Sequence, residues 1–149
     1  MSALTLSTVL LLAAAQGADA WAGTWTLNLS KSTYELSAMP KSSVSKLEPA
    51  EDVWNLTQDV VDSQGRATHT TIRAKFDGKD YAVEGIEGVT YAMTRIDDHT
   101  YDLVTKRDGA ILTTTRSVVS PDGKTRTSTT TGRNAQGQTA KNVAVYDRQ

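Results

Sequence analysis

No cysteine occurs in the 149 residues, so neither disulfides nor thiolate ligands contribute to the fold or to any site. Two histidines without a thiol are too few for a clustered metal centre or a haem anchor, and no metal or other cofactor is expected. Lysine and arginine number 16 against 17 aspartates and glutamates, a balance that argues against nucleic acid as a partner. The one long apolar run, Leu4 to Ala15, is too short to span a membrane. Past residue 20 there is neither a candidate membrane span nor a helical period of useful length.

What is present begins with a processing signal. Ala18-Asp19-Ala20 follows the apolar run with the small-x-small pattern that a signal peptidase reads, which predicts cleavage before Trp21. The leader is weak at its start, since no Lys or Arg precedes the run. Residues 1–20 are then a signal peptide and residues 21–149 a single domain, periplasmic or secreted and monomeric. An exported chain without cysteine holds together by its core and sheet hydrogen bonds alone, which suits a bacterial protein. Asn28-Leu29-Ser30 and Asn55-Leu56-Thr57 match a glycosylation acceptor, but matches this short do not fix the host. With Asp19 removed the mature chain carries 16 basic and 16 acidic residues, and the basic excess lies within residues 105–149.

After Leu47 turn chemistry recurs at short intervals: Asp62-Ser63-Gln64-Gly65, Asp77-Gly78, Asp97-Asp98-His99, Asp108-Gly109, Ser120-Pro121-Asp122-Gly123 and Asn134-Ala135-Gln136-Gly137. The runs between them are rich in Thr, Val, Ile and Tyr, as pleated surfaces prefer. Ten strands are predicted, near 23–29, 42–48, 52–61, 66–76, 79–84, 89–96, 100–107, 110–119, 124–132 and 139–147. Residues 30–41 form the one long early connection, a lid or plug over one end. A meander of this length packs as two sheets or closes on itself, and closure removes exposed edges. The fold class is therefore all-β, an antiparallel up-and-down β-barrel.

Trp21-Ala22-Gly23-Thr24-Trp25 resembles the opening of the calycins, the lipocalins and fatty-acid-binding proteins, whose first strand carries Gly-x-Trp. The tail Asn142-Val143-Ala144-Val145-Tyr146 is similar to the last strand of a fatty-acid-binding protein, and ten strands match that family better than the eight of a lipocalin. More loosely, Leu27-Asn28-x-x-Lys31-Ser32 and the Pro121-Asp122-Gly123-Lys124 hairpin resemble a group of small exported bacterial proteins of uncharacterised function. The resemblance implies a barrel cavity for a small lipophilic or aromatic molecule. Fatty-acid-binding proteins hold a ligand carboxylate with internal arginines and an Arg-x-Tyr pair; here Ala144 stands before Tyr146 instead, and Arg126 on the neighbouring strand is the candidate replacement. Independently of any family, Gly23 and Trp25 suit a barrel's sealed end, a large apolar plug beside closely passing backbone.

Tight hairpins fix register and so predict a lining. The Asp108-Gly109 turn puts Tyr101, Leu103, Leu112, Thr114, Arg116 and Val118 on one face, and a Gly bulge at Gly123 adds Arg126 and Ser128. The opposite face carries Arg95, Asp102 and Lys106, an opposite-charge pattern that reads as exterior. A hairpin at Asp77-Gly78 places Asn55, Thr70, Ile72, Ala74, Tyr81 and Val83 inside and pairs Lys75 with Asp80 outside. The same register sets Tyr146 away from Arg116 and Trp54 outward beside Arg73. Such a mixed lining suits an amphipathic ligand, and two enclosed arginines require an anion, acidic partners or water.

Other chemistry finds little support. His69 falls on the exterior face opposite Gln58, and His99 sits in a turn where local hydrogen bonds are the simpler role. No nucleophile elbow occurs, and Glu84 and Glu87 would act as acid and base only if buried close together. The leading expectation is an exported carrier of a small lipophilic or aromatic, anionic molecule. A cavity enzyme on a small hydrophobic substrate and a surface-interaction module with a filled core are the alternatives.

Overall fold

The computed structural model describes residues 19–149, so the expected leader, residues 1–20, lies outside the described residues apart from Asp19 and Ala20. Eleven strands follow: β1 (Gly23–Leu27), β2 (Thr33–Tyr34), β3 (Ser42–Ala50), β4 (Val53–Val61), β5 (Ala67–Ala74), β6 (Asp77–Ala82), β7 (Val89–Asp97), β8 (Thr100–Arg107), β9 (Ala110–Val119), β10 (Thr125–Arg133) and β11 (Thr139–Arg148). The ten expected strands are all there; β2, which pairs with β11, is the addition. Neighbours run antiparallel in the order β5-β4-β3-β1-β11-β10-β9-β8-β7-β6, a nearly closed barrel. Among the described residues no helix is long and apolar enough to cross a membrane.

The turns follow from their acceptor side chains. Asp62, Asp77, Asp97, Asp122 and Asn134 each accept the backbone N–H two residues on, fixing the first corner before the strand returns. Those hydrogen bonds lead in holding the Asp77 and Asp97 carboxyls below the usual range, whereas the Arg66 N–H does most of this for Asp62 and the Ser120 hydroxyl for Asp122.

One end is sealed by aromatic packing. Trp21 and Trp25 are fully buried with Leu47, Val119 and Tyr101, and Trp21 meets Tyr101 edge-on at 4.5 Å. Burial of side chains this large contributes on the order of 3 kcal/mol each. Arg148 lies over the Trp25 ring at 4.3 Å and donates to the carbonyls of Ala20, Ala22 and Gly123. Gly23 has φ +136°, and a Cβ there would stand 2.7 Å from Arg148 Nη1, so a larger residue would strain the backbone and push the guanidinium from its carbonyls. Trp54 faces inward at this end, edge-on to Phe76 and under Arg95, rather than outward beside Arg73.

The expected hairpin at Asp77-Gly78 does not zip. β5 and β6 are the two edges of the sheet, joined by a single rung in which Thr71 and Glu84 exchange backbone hydrogen bonds and Thr71 Oγ1 donates to Glu84. That rung has the register expected from the turn, but it is isolated and lies beyond the end of β6, which pairs with β7. Lys75 accordingly pairs with Asp52 at 2.6 Å, and Asp80 with Lys106 at 2.9 Å, instead of with each other.

Candidate functional site

Side chains alternate along each strand, so the inner face can be read position by position. It comprises Ser45 and Leu47 on β3, Leu56 and Gln58 on β4, Thr70 and Ile72 on β5, and Tyr91 and Met93 on β7. β8 to β11 add Tyr101, Leu103 and Thr105; Thr113, Thr115 and Ser117; Arg126, Ser128 and Thr130; and Asn142, Ala144 and Tyr146. They enclose a cavity of about 320 Å³, room for roughly ten waters at about 30 Å³ each.

Its walls differ in chemistry. Leu47, Leu56, Ile72, Met93 and Leu103 supply an apolar side. Across from them β9 and β10 supply hydroxyl pairs: Ser117 with Ser128 at 2.7 Å, and Thr115 with Thr130 at 2.8 Å. Each pair uses one of its two hydroxyl hydrogens internally, leaving the other for a guest. Successive same-face positions are about 6.7 Å apart, so the pairs form a polar rail.

Arg126 stands at the sealed end of that rail and is 5% exposed. Its Nη2 donates to Ser45 Oγ at 2.8 Å, and its guanidinium lies 4.2 Å from the Tyr146 ring centroid and 5.4 Å from that of Trp25. Its Nε is buried without a partner, and none of the ion pairs among the described residues involves it. An enclosed cation met by two ring faces and one hydroxyl retains capacity for an anion.

Away from the sealed end Tyr34 lines both the cavity and a more open depression beneath residues 37–40, and Gln58 and Tyr146 lie between the two. Burial pushes the Tyr34 phenol up to about 12, with Tyr146 beside it adding to the shift, so it stays a neutral donor. Tyr91 is raised for the same leading reason, with Tyr101 and Tyr146 contributing. The connection over this mouth is a fastened strap: Asn142 Oδ1 accepts the N–H groups of Glu35, Leu36 and Ser37, and its Nδ2 donates to Ser37 Oγ.

Of the residues expected to bind ligand, Arg126, Ser128, Tyr101, Leu103 and Ile72 line this cavity. Arg116, Leu112 and Thr114 face outward, because a β-bulge between Thr105 and Lys106 pairs Thr105 with Thr113 and flips every later residue of β9. Arg116 instead holds Asp102 through two 2.7 Å hydrogen bonds at the surface, with its side chain 59% exposed, and keeps that carboxyl below its usual range. Asn55 faces outward opposite Arg73, because the turn at Asp62 is one residue longer than expected and Leu56 takes the place opposite Ile72. Tyr81 packs its ring on a second cluster with Ile72 and Met93, while its hydroxyl donates to Asp77 at the surface, away from the cavity. Tyr146 lies inside, paired with Arg126, and Arg95 turns inward at the sealed end rather than pairing with Asp102.

The histidines and the Glu84 loop take local roles. His69 meets Asp59 at 2.6 Å on the exterior, His99 is held in its turn by Asp97 and Val119, and Glu84 and Glu87 are exposed. Among the described residues, no three His, Cys, Asp or Glu side chains gather as a metal site. The sequence reading missed Ser45, Gln58, Asn142 and Tyr34; the alternation Asn142, Ala144, Tyr146 was the available signal for one inward face of β11.

No protein-family model matches the chain, and no curated protein matches it. Among solved structures it is similar to zebrafish ileal bile acid-binding protein complexed with cholic acid, with a TM-score of 0.53 and 15% sequence identity over 87% of this chain and 99% of that one. The architecture is therefore that of a calycin barrel of the fatty-acid-binding-protein type.

Proposed function

We propose that the chain is exported, cleaved before Trp21, and works as a monomeric periplasmic or secreted carrier that holds a small lipophilic or aromatic anion in the barrel, without covalent chemistry. The observation that carries this reading is Arg126: a guanidinium enclosed in the cavity with no carboxylate partner among the described residues and one unsatisfied N–H. A buried cation is costly unless an anion or water compensates it, and a carboxylate fits a guanidinium fork. The apolar wall would take the ligand's body and the hydroxyl rail any oxygens along one edge. The structural neighbour is a bile acid-binding protein bound to an acid, which supports this ligand class.

Dodecanoate provides the test. Arg126→Leu should weaken its binding more than tenfold and leave dodecanol binding within twofold. Arg116→Leu, on the outer face, should bind dodecanoate like the parent. Equal loss in both variants, or in neither, would refute Arg126 as the anion site.

A further inference from the structure

A second anion position lies at the sealed end, outside the cavity, and the chain fills it with its own residue. Asp19 Oδ2 accepts from Arg95 Nη1 at 3.0 Å, and Asp19 Oδ1 accepts the backbone N–H of Trp21 at 2.9 Å. Arg95 is kept in place by the Phe76 and Trp54 rings, 5.0 and 5.7 Å from its guanidinium carbon, and Asp19 is its one ion-pair partner among the described residues. Arg148 donates to the Ala20 carbonyl next to it. Donors from three places thus converge on the two residues just before the expected cleavage point.

We propose that removal of the leader opens this position as a binding site for a peptide carboxylate, an inference that rests on cleavage before Trp21. In that step water adds across the Ala20–Trp21 amide under signal-peptidase catalysis. The C–N bond breaks, Ala20 departs as a carboxylate carrying the water oxygen, and the Trp21 nitrogen takes up both of the water's protons and becomes an ammonium. Asp19 leaves with the leader, so Arg95 loses its counter-charge and Arg148 loses one acceptor. The Trp21 ring is fully buried against Tyr101, and Trp21 O accepts from Trp25 Nε1 at 3.2 Å, so the new ammonium is anchored near Arg95. Two cations held side by side, partly withdrawn from water, repel until an anion lies between them. The seat already fits a side-chain carboxylate with a carbonyl oxygen one residue further on. An acidic residue next to a free chain end offers the same groups.

The chain is exported from a bacterial host with its own leader, purified, and weighed intact. N-acetyl-Ala-Asp-Ala with a free carboxyl end is then titrated against its tryptophan fluorescence. The expected result is a mass starting at Trp21 and saturable binding. Binding should fall at least tenfold for N-acetyl-Ala-Asn-Ala amide and for Arg95→Gln, while Arg95→Lys should retain it. Dodecanoate binding should be unchanged in both variants, which reports an intact barrel. A processed chain that starts at Trp21 and does not bind the peptide, or that binds it regardless of Arg95, overturns the site and leaves the cleavage reading standing. A mature chain that begins before Asp19 overturns both.

Discussion

Arg126→Met separates what the guanidinium does for a ligand from what it does for the fold. The substitution removes a hydrogen bond from a charged donor to Ser45, about 1.5–3 kcal/mol, and two cation–π contacts, about 1–2 kcal/mol each when desolvated. Against this it relieves the burial of an unpaired charge, several kcal/mol, and an unsatisfied buried N–H, about 1–3 kcal/mol. The opposing terms are of similar size, so the ligand-free stability should change by no more than about 2 kcal/mol. Urea unfolding followed by tryptophan fluorescence measures this directly. Saturating dodecanoate, at about one hundred times the parent's dissociation constant, should stabilise the parent by about 2.7 kcal/mol and a variant that binds at least tenfold more weakly by no more than about 1.4 kcal/mol. If Arg126→Met loses more than about 3 kcal/mol without ligand, the arginine is a structural strut and the reasoning fails.

Other perturbations probe the sealed end, the strap and the mouth. Gly23→Ala forces a Cβ against Arg148 at a positive φ, and should cost about 1–3 kcal/mol in urea unfolding; a neutral result would show that this end is loosely packed. Asn142→Ala removes the shared acceptor of three strap amides, and amide exchange at Leu36 and Ser37 should accelerate at least tenfold while Glu35 stays held by the Lys141 carbonyl, with a global loss of about 1–2 kcal/mol. Tyr34 has a folded pKa of about 12 against about 10 when unfolded, so its contribution is complete below pH 10 and is lost as pH rises towards 12. Screening of a half-exposed group limits that loss to on the order of 1 kcal/mol, and Tyr34→Phe should abolish it in alkaline unfolding curves.

Strand positions were legible because turn chemistry is local: an Asp or Asn that accepts the N–H two residues on needs nothing distant to act. Facing was less legible, because it depends on parity, and one inserted residue inverts everything after it. The bulge near Leu112 did this to β9, so Arg116 went outside. Arg126 and Ser128 still reached the interior because the following turn differs by one residue too: Arg126 pairs with Val119 instead of Val118, and the two shifts cancel. Asn55 had no second shift to restore it. Bulges and turn lengths reflect how the closed sheet coils, which no single hairpin encodes. The unzipped Asp77-Gly78 hairpin has the same origin, since a barrel this size places its opening where two strands diverge.

The place of that opening bears on how the chain could be cut and rejoined. Read from one edge to the other, the sheet runs β6 through β11, then β1, β3, β4 and β5. The first and last strands, β1 and β11, therefore meet in the middle of the sheet, where Gln149 N–H donates to Thr24 O at 2.9 Å, while the seam falls between two strands adjacent in sequence. A circular permutant that links Gln149 to Trp21 and opens between Ala74 and Asp77 would turn the barrel into an uninterrupted meander along the main path. Every principal strand would then lie beside its neighbour in sequence. The distant pairing of β1 with β11 would become a local one, and the permutant should fold faster than the natural chain at similar stability.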